Sequence, residues 1–108
     1  MEENAVVTAL GALAQPMRLR LFRALVVAGE SGLTPGALVE MLELPAATLS
    51  FHLKELTLAG LVTRQRVGRS IIYRADYDQM NAVLSFLTLN CCRGQKPGKA
   101  EAAAACEC

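Results

Sequence analysis

Apolar positions recur at helical spacing through most of this chain, and the period changes once. Val6, Leu10, Leu13 and Met17 are separated by four, three and four residues, the row that lies along one side of a 3.6-residue helix, which predicts a helix from about Glu3 to Ala14. Pro16 opens a second helix in its first turn, where an amide hydrogen has no intrahelical partner to lose. That helix runs to about Ala28, where Gly29 and then Ser31-Gly32 end it. Thr34 followed by Pro35 starts a third, short helix, the hydroxyl capping and the proline taking the first helical position. It reaches Glu43, Leu44-Pro45 breaks it, and a fourth helix continues to about Ala59, where Gly60 stops it. Within this fourth helix Leu49, Leu53, Leu56 and Gly60 form the inward row. Ala47, Ser50, Phe51, Lys54 and Leu58 lie opposite, with Thr48 and Glu55 to one side.

After Gly60 the period drops to that of strands. Leu61 to Arg66 and Ser70 to Arg74 are rich in β-branched and basic residues and flank Val67-Gly68-Arg69, a β-hairpin with arginines at and beside its tip. From Asp76 the helical period returns, and Tyr77, Met80, Leu84, Leu87 and Cys91 alternate three and four residues apart as a heptad-like seam. Arg93 to Ala105 is polar and alanine-rich, without an apolar face, and is expected to be mobile. The expected organisation is one domain over residues 1–91 and a flexible cysteine-bearing tail over 92–108. No apolar run is long enough to span a bilayer.

This order of elements, α-α-α-α-β-β-α, predicts a mainly helical fold with a small hairpin, a winged helix-turn-helix. Two short helices joined by a tight turn and followed by a basic hairpin meet a specific requirement. One slim helix enters the major groove, a neighbour fixes its angle, and arginines reach the backbone beside it. Charge agrees with that division of labour. The chain carries a net charge of only +1, but from Leu44 to Arg74 five bases, Lys54, Arg64, Arg66, Arg69 and Arg74, face Glu55 alone, a local net of +4. Ala46, Thr48 and Ser50 are small enough for backbone and hydroxyls to approach base edges, and Phe51 projects outward, a position that suits either contact with a thymine methyl group or a packed or partner-facing aromatic. Lys54, Arg64, Arg66 and Arg69 supply attraction to phosphates.

Composition bears on assembly. Apolar residues make up 53% of the chain, aromatics 5%, and tryptophan is absent, so a chain with little interior has more aliphatic surface than it can bury alone. A dimer interface along the seam and the first-helix row would take the excess. All four cysteines, Cys91, Cys92, Cys106 and Cys108, fall in the last eighteen residues. The opening MEENAVVTAL lacks the basic and apolar regions of an export signal, so a cytoplasmic location with reduced thiols is expected. Clustered reduced cysteines point to metal binding or redox chemistry. Enzyme function is not expected: there is no Ser/His/Asp set, no glycine-rich phosphate loop and no histidine near a cysteine.

Three stretches, Ala14 to Leu25 (AQPMRLRLFRAL), Leu44 to Val62 (LPAATLSFHLKELTLAGLV) and Arg64 to Tyr73, resemble the ArsR/SmtB-type metalloregulatory repressors. The resemblance spans roughly residues 5 to 90 and is strongest at Ser50-Phe51-His52-Leu53 and Ala59-Gly60-Leu61-Val62. It implies a homodimer that sits on double-stranded operator DNA and releases it when an inducer binds. Its recognition helix includes His52, usually histidine in these proteins, so His52 joins the expected DNA-binding set. As the only histidine in the chain, on the flank of the inward row, it is expected to be partly buried and hydrogen-bonded rather than a metal ligand. The chain departs from the family at Phe51, where Arg or Lys is common, and near Ala46, where Gln or Ser is common.

The family's ligand positions resolve residue by residue. Ala37 to Leu42, before the recognition helix, holds no cysteine, and Asp76 to Leu89 offers Asp76 and Asp78 but no histidine. The remaining thiols, Cys91, Cys92, Cys106 and Cys108, resemble the C-terminal sites of some arsenite-responsive members. Thiolates without nitrogen or oxygen partners select soft ions. Trivalent arsenic or antimony takes three sulfurs in a pyramid, whereas zinc or cadmium takes four in a tetrahedron, and four cysteines leave both open. The fourteen steps from Cys92 to Cys106 span roughly 20 Å in a flexible chain, at about 5 to 6 Å times the square root of n. The leading expectation is an arsenite- or antimonite-released repressor. The alternatives are a redox-sensing repressor using the same thiols, and a metal-sequestering or protein-interaction module that does not bind DNA.

Overall fold

The computed structural model describes residues 1–90. Five helices and one hairpin follow in the predicted order: α1 Glu3–Leu13, α2 Pro16–Ala28, α3 Pro35–Leu42, α4 Ala46–Leu58, β1 Val62–Val67, β2 Ser70–Ala75 and α5 Tyr77–Thr88, with a short 3-10 turn at Gly29–Ser31 after α2. Local chemistry explains the boundaries. Pro16 and Pro35 stand in the first turns of α2 and α3, preceded by Gln15, whose Oε1 accepts from the Arg18 amide at 2.8 Å, and Thr34, whose Oγ1 accepts from the Ala37 amide at 3.2 Å. Asp76 caps α5 in the same way, accepting from the Gln79 amide at 3.0 Å. Each cap satisfies one amide that the helix leaves without an internal partner.

The core gathers one face of each helix. Leu21 and Leu25 of α2, Leu38 of α3, Leu49 and Leu56 of α4 and the following Leu61 are the largest fully buried side chains. β1 and β2 pair antiparallel from Val62↔Ala75 to Val67↔Ser70. The two-residue link is Gly68-Arg69, with positive φ at Gly68 alone, the pattern a type II′ turn demands. Leu33 adds a further rung, exchanging backbone hydrogen bonds with Tyr73 at 2.9 Å each way. Gly32 permits that rung: a Cβ there would stand 2.6 Å from the Tyr73 carbonyl oxygen, at a φ of 65°. The hairpin is thus tied to the segment between α2 and α3, which sets its angle to α4.

Two helices differ from their simplest reading. The α1 row divides: Val6 is buried with Ala9 and Ala12, while Leu10 and its neighbour Val7 are exposed. Alanines let α1 lie close to the core, so its large side chains are left for the outer surface. The α5 seam divides as well. Tyr77 and Met80 are half-buried, Val83 is buried, and Leu84 and Leu87 stand 50% and 55% exposed. The helix also ends earlier than the seam implies. Leu89, at φ −55° and ψ 127°, and Asn90, at a positive φ of 63°, both lie outside helical geometry. The expected boundary at residue 91, the tail 92–108 and all four cysteines lie outside the described residues.

Candidate nucleic-acid interface

α4 presents the predicted two sides. Leu49, Leu53 and Leu56 are buried, and Ala46, Ala47, Thr48, Ser50, Phe51, Lys54 and Leu58 are exposed. The separation follows from the 3.6-residue period acting on a sequence whose large aliphatics recur every three or four positions. At its start the helix is bounded by Pro45, whose carbonyl accepts from the Leu49 amide at 3.0 Å. Its end is tight: Gly60, at a φ of 79°, donates to the Thr57 carbonyl at 3.0 Å, and the Leu61 amide to Leu56 at 3.1 Å. The chain therefore turns directly from α4 into β1, and the hairpin stands beside the helix.

Strand alternation then sorts the wing. Arg64 lies opposite Tyr73 and Arg66 opposite Ile71, so both arginines share one sheet face. Arg64 and Tyr73 line a cleft of about 380 Å³ with Ser50, Lys54, Thr57 and Leu58 of α4. Among the described residues no acid pairs with Lys54, Arg64, Arg66 or Arg69. Two cations and hydroxyls thus face one opening between helix and wing, with Arg66 farther along the strand and Arg69 at the exposed tip.

Arg74 belongs elsewhere. It sits across from Thr63 on the opposite sheet face, where its Nε donates to the Glu30 carbonyl oxygen and a terminal nitrogen to Gln65 Oε1, both at 2.6 Å. Its surroundings include Asp76 and Asp78. The local +4 of the sequence therefore overstates the charge available at the cleft, since Arg74 braces the hairpin against the turn after α2.

His52 is the member of the expected DNA-binding set that does not reach the surface. Its side chain is 7% exposed, because its position falls between the buried Leu49 and Leu56 and the outward row. Nδ1 accepts from Arg18 Nε at 3.1 Å, which places any ring proton on Nε2. Burial first, and the Arg18 charge second, hold its pKa below the ordinary value of 6.5. The same guanidinium lies over the exposed Phe51 ring, 5.3 Å from its centroid, and the Phe51 and His52 rings are 5.7 Å apart, tilted by 56°. Arg18 of α2 was not among the residues expected from sequence. Its partners are 33 and 34 positions away, and nothing local marks it.

No helix among the described residues is long and apolar enough to cross a membrane, and no cluster of three or more His, Cys, Asp or Glu side chains suited to a metal ion occurs among them.

Comparison with known proteins bears on the whole arrangement. A helix-turn-helix domain family matches residues 13–65, the segment from the end of α1 into β1. The chain is 41% identical over 76 residues to the HTH-type transcriptional repressor SmtB of Mycobacterium tuberculosis, a match covering 69% of this chain and 54% of that protein. It therefore spans about half the length of the curated relatives it matches. An ArsR-like transcriptional regulator from Rhodococcus sp. RHA1 superposes with a TM-score of 0.70 at 26% identity, covering 78% of this chain and 76% of that one. A "possible transcriptional regulator for arsenical resistance" superposes with a TM-score of 0.63 at 32% identity, covering 73% and 79%.

Proposed function

Because the chain belongs to the ArsR/SmtB family of helix-turn-helix transcriptional regulators, we propose that it is a homodimeric cytoplasmic repressor that holds operator DNA with α4 and the wing. Trivalent arsenic or antimony, captured by C-terminal thiols, releases it. The observation that carries the DNA reading is the cleft in which Lys54 and Arg64 converge beside Ser50 and Thr57 with no neutralising acid among the described residues. Phosphate oxygens match that lining, and the exposed Ala46, Thr48 and Ser50 stand where a helix in the major groove meets base edges. Arg66 and Arg69 extend the cationic track along the wing. His52 acts from inside, orienting the helix through Arg18 rather than touching DNA.

The dimer reading rests on surface left over. Val7 and Leu10 on α1 and Leu84 and Leu87 on α5 are exposed although the two helices pack together, and aliphatic surface of that kind is best covered by a second copy. A dimer presents two α4 helices to half-sites about 34 to 36 Å apart. An ion gathered just beyond α5 then acts on the spacing of those helices. A coupling of about 1 to 3 kcal/mol suffices, equivalent to roughly 5- to 150-fold weaker operator binding.

The inducer class rests on donor chemistry. Cys91, Cys92, Cys106 and Cys108 offer sulfur without histidine, which suits thiophilic ions, and one solved relative is described in connection with arsenical resistance. The test is release of a promoter-proximal duplex from the reduced protein. Arsenite or antimonite at low micromolar concentration releases it, and diamide in their absence does not. Release by diamide alone assigns the thiols to redox sensing, and release by cadmium or zinc alone assigns them to a four-sulfur site. Failure to bind any promoter-proximal duplex rejects the repressor.

A further inference from the structure

Phe51 is the anomaly of the outward face of α4. It is 54% exposed among Ala47, Thr48, Ser50 and Lys54, where the fold gains little from an aromatic ring. The ring is nevertheless held. The Arg18 guanidinium lies over it at 5.3 Å from the centroid, within the range of a cation–π contact. That guanidinium is itself fixed by donating Nε to His52 Nδ1 at 3.1 Å, and the His52 ring lies beside the Phe51 ring, 5.7 Å away and tilted by 56°. Two side chains, Arg18 of α2 and His52 of α4, thus hold one apolar ring on the element proposed to face DNA. Ordering it before binding removes the rotamer entropy that an exposed side chain otherwise loses on association.

Phenylalanine has no hydrogen-bond donor or acceptor, so it cannot read the polar pattern of a base edge. The major groove presents one apolar group, the 5-methyl of thymine, and a Phe ring is among the side chains that suit it. The small side chains of Ala46 and Ala47, one turn earlier, let the helix sit close enough for a single ring to reach the base edge. Resting on the DNA-binding reading above, we propose that Phe51 is a specificity-determining residue that selects thymine at one position of each half-site, and that Arg18 is the positioning residue that holds its ring.

Deoxyuridine lacks only the 5-methyl, so it deletes the proposed interaction without altering pairing. The full-length reduced protein is titrated with its promoter-proximal duplex and with duplexes carrying deoxyuridine for thymidine at one half-site position at a time. Burial of one methyl group corresponds to about fourfold in affinity. One thymine per half-site is expected to show that loss, and Phe51→Ala is expected to bind the thymidine and deoxyuridine duplexes equally at that position while keeping any methyl effects elsewhere. Arg18→Gln, which retains a donor for His52 but no cation over the ring, is expected to reduce the thymidine/deoxyuridine ratio toward unity. Thermal melting of both variants confirms that they are folded. If no single methyl matters, or if the same methyl effect persists in Phe51→Ala, the thymine assignment is overturned. An unchanged ratio in Arg18→Gln overturns the role of Arg18. A protein that binds no duplex rejects the repressor reading itself, a result distinguishable from binding that ignores methyl groups.

Discussion

Replacing Arg64 and Arg66 together with alanine removes two cations per wing from the sheet face shared with the α4 cleft, and leaves Arg74 on the other face as an internal control. Each phosphate that is no longer neutralised lowers the slope of log affinity against log salt by about 0.9. If both arginines of both wings in a dimer touch phosphates, the slope falls by about 3.6. Between 50 and 200 mM salt, the affinity of the double variant should then fall about 150-fold less than that of the wild type. Fluorescence anisotropy with a labelled promoter-proximal duplex, titrated across that range, reads the slope directly. Arg74→Ala is expected to behave differently: its guanidinium is engaged by the Glu30 carbonyl and Gln65, so its removal should lower the melting temperature and leave the slope unchanged. Equal slopes for wild type and the double variant, or a slope lowered by Arg74→Ala as much as by the wing arginines, would refute the sorting of the wing by sheet face.

Leu84→Asp or Leu87→Asp is expected to give monomers by sedimentation velocity, since each places a charge on the exposed aliphatic row of α5, and repression should be lost; a DNA-binding monomer would overturn both the dimer and the proposed release mechanism. His52 predicts a pH dependence of stability. Its folded pKa is held below 6.5 by burial and Arg18, so the unfolded chain takes up the proton first as pH falls. The stability it contributes is present above about pH 6.5 and is lost as pH drops toward the folded value. Urea midpoints should therefore decline between pH 7 and 5.5 in the wild type more than in His52→Gln, and parallel declines would show that another group is responsible. Cys91→Ser and Cys92→Ser should each keep DNA binding and abolish release by arsenite, whereas the Cys106→Ser/Cys108→Ser double variant should weaken it. X-ray absorption on the arsenic-loaded protein should find three sulfurs and no nitrogen, and a double variant that responds as the wild type does points to a two-sulfur site.

Much of this fold is legible in the chain itself because its signals act between near neighbours. Pro16, Thr34-Pro35, Asp76 and Gly60 start or stop helices through the backbone groups of their own turns, and the observed ends fall within a residue or two of those marks. The spacing of Leu49, Leu53 and Leu56 likewise decides which side of α4 is buried, and with it the exposure of Ser50, Phe51 and Lys54. Alternation along β1 and the Gly68-Arg69 turn put Arg64 and Arg66 on one face. Periodicity does not, however, report which distant element a side chain meets. The sequence counts Arg74 with the wing cations, and only the fold turns it to the Glu30 carbonyl. The heptad spacing predicts a helix that runs on past Leu87, yet α5 ends at Thr88. His52 and Phe51 are consecutive, but one is buried and the other exposed, and the guanidinium that joins them comes from α2. Pairings such as Arg18 with His52, 34 residues apart, exist because helices pack at particular angles. Those angles follow from the whole core, from the alanines that bring α1 close and the glycine that admits the Leu33 rung, rather than from any local stretch of residues.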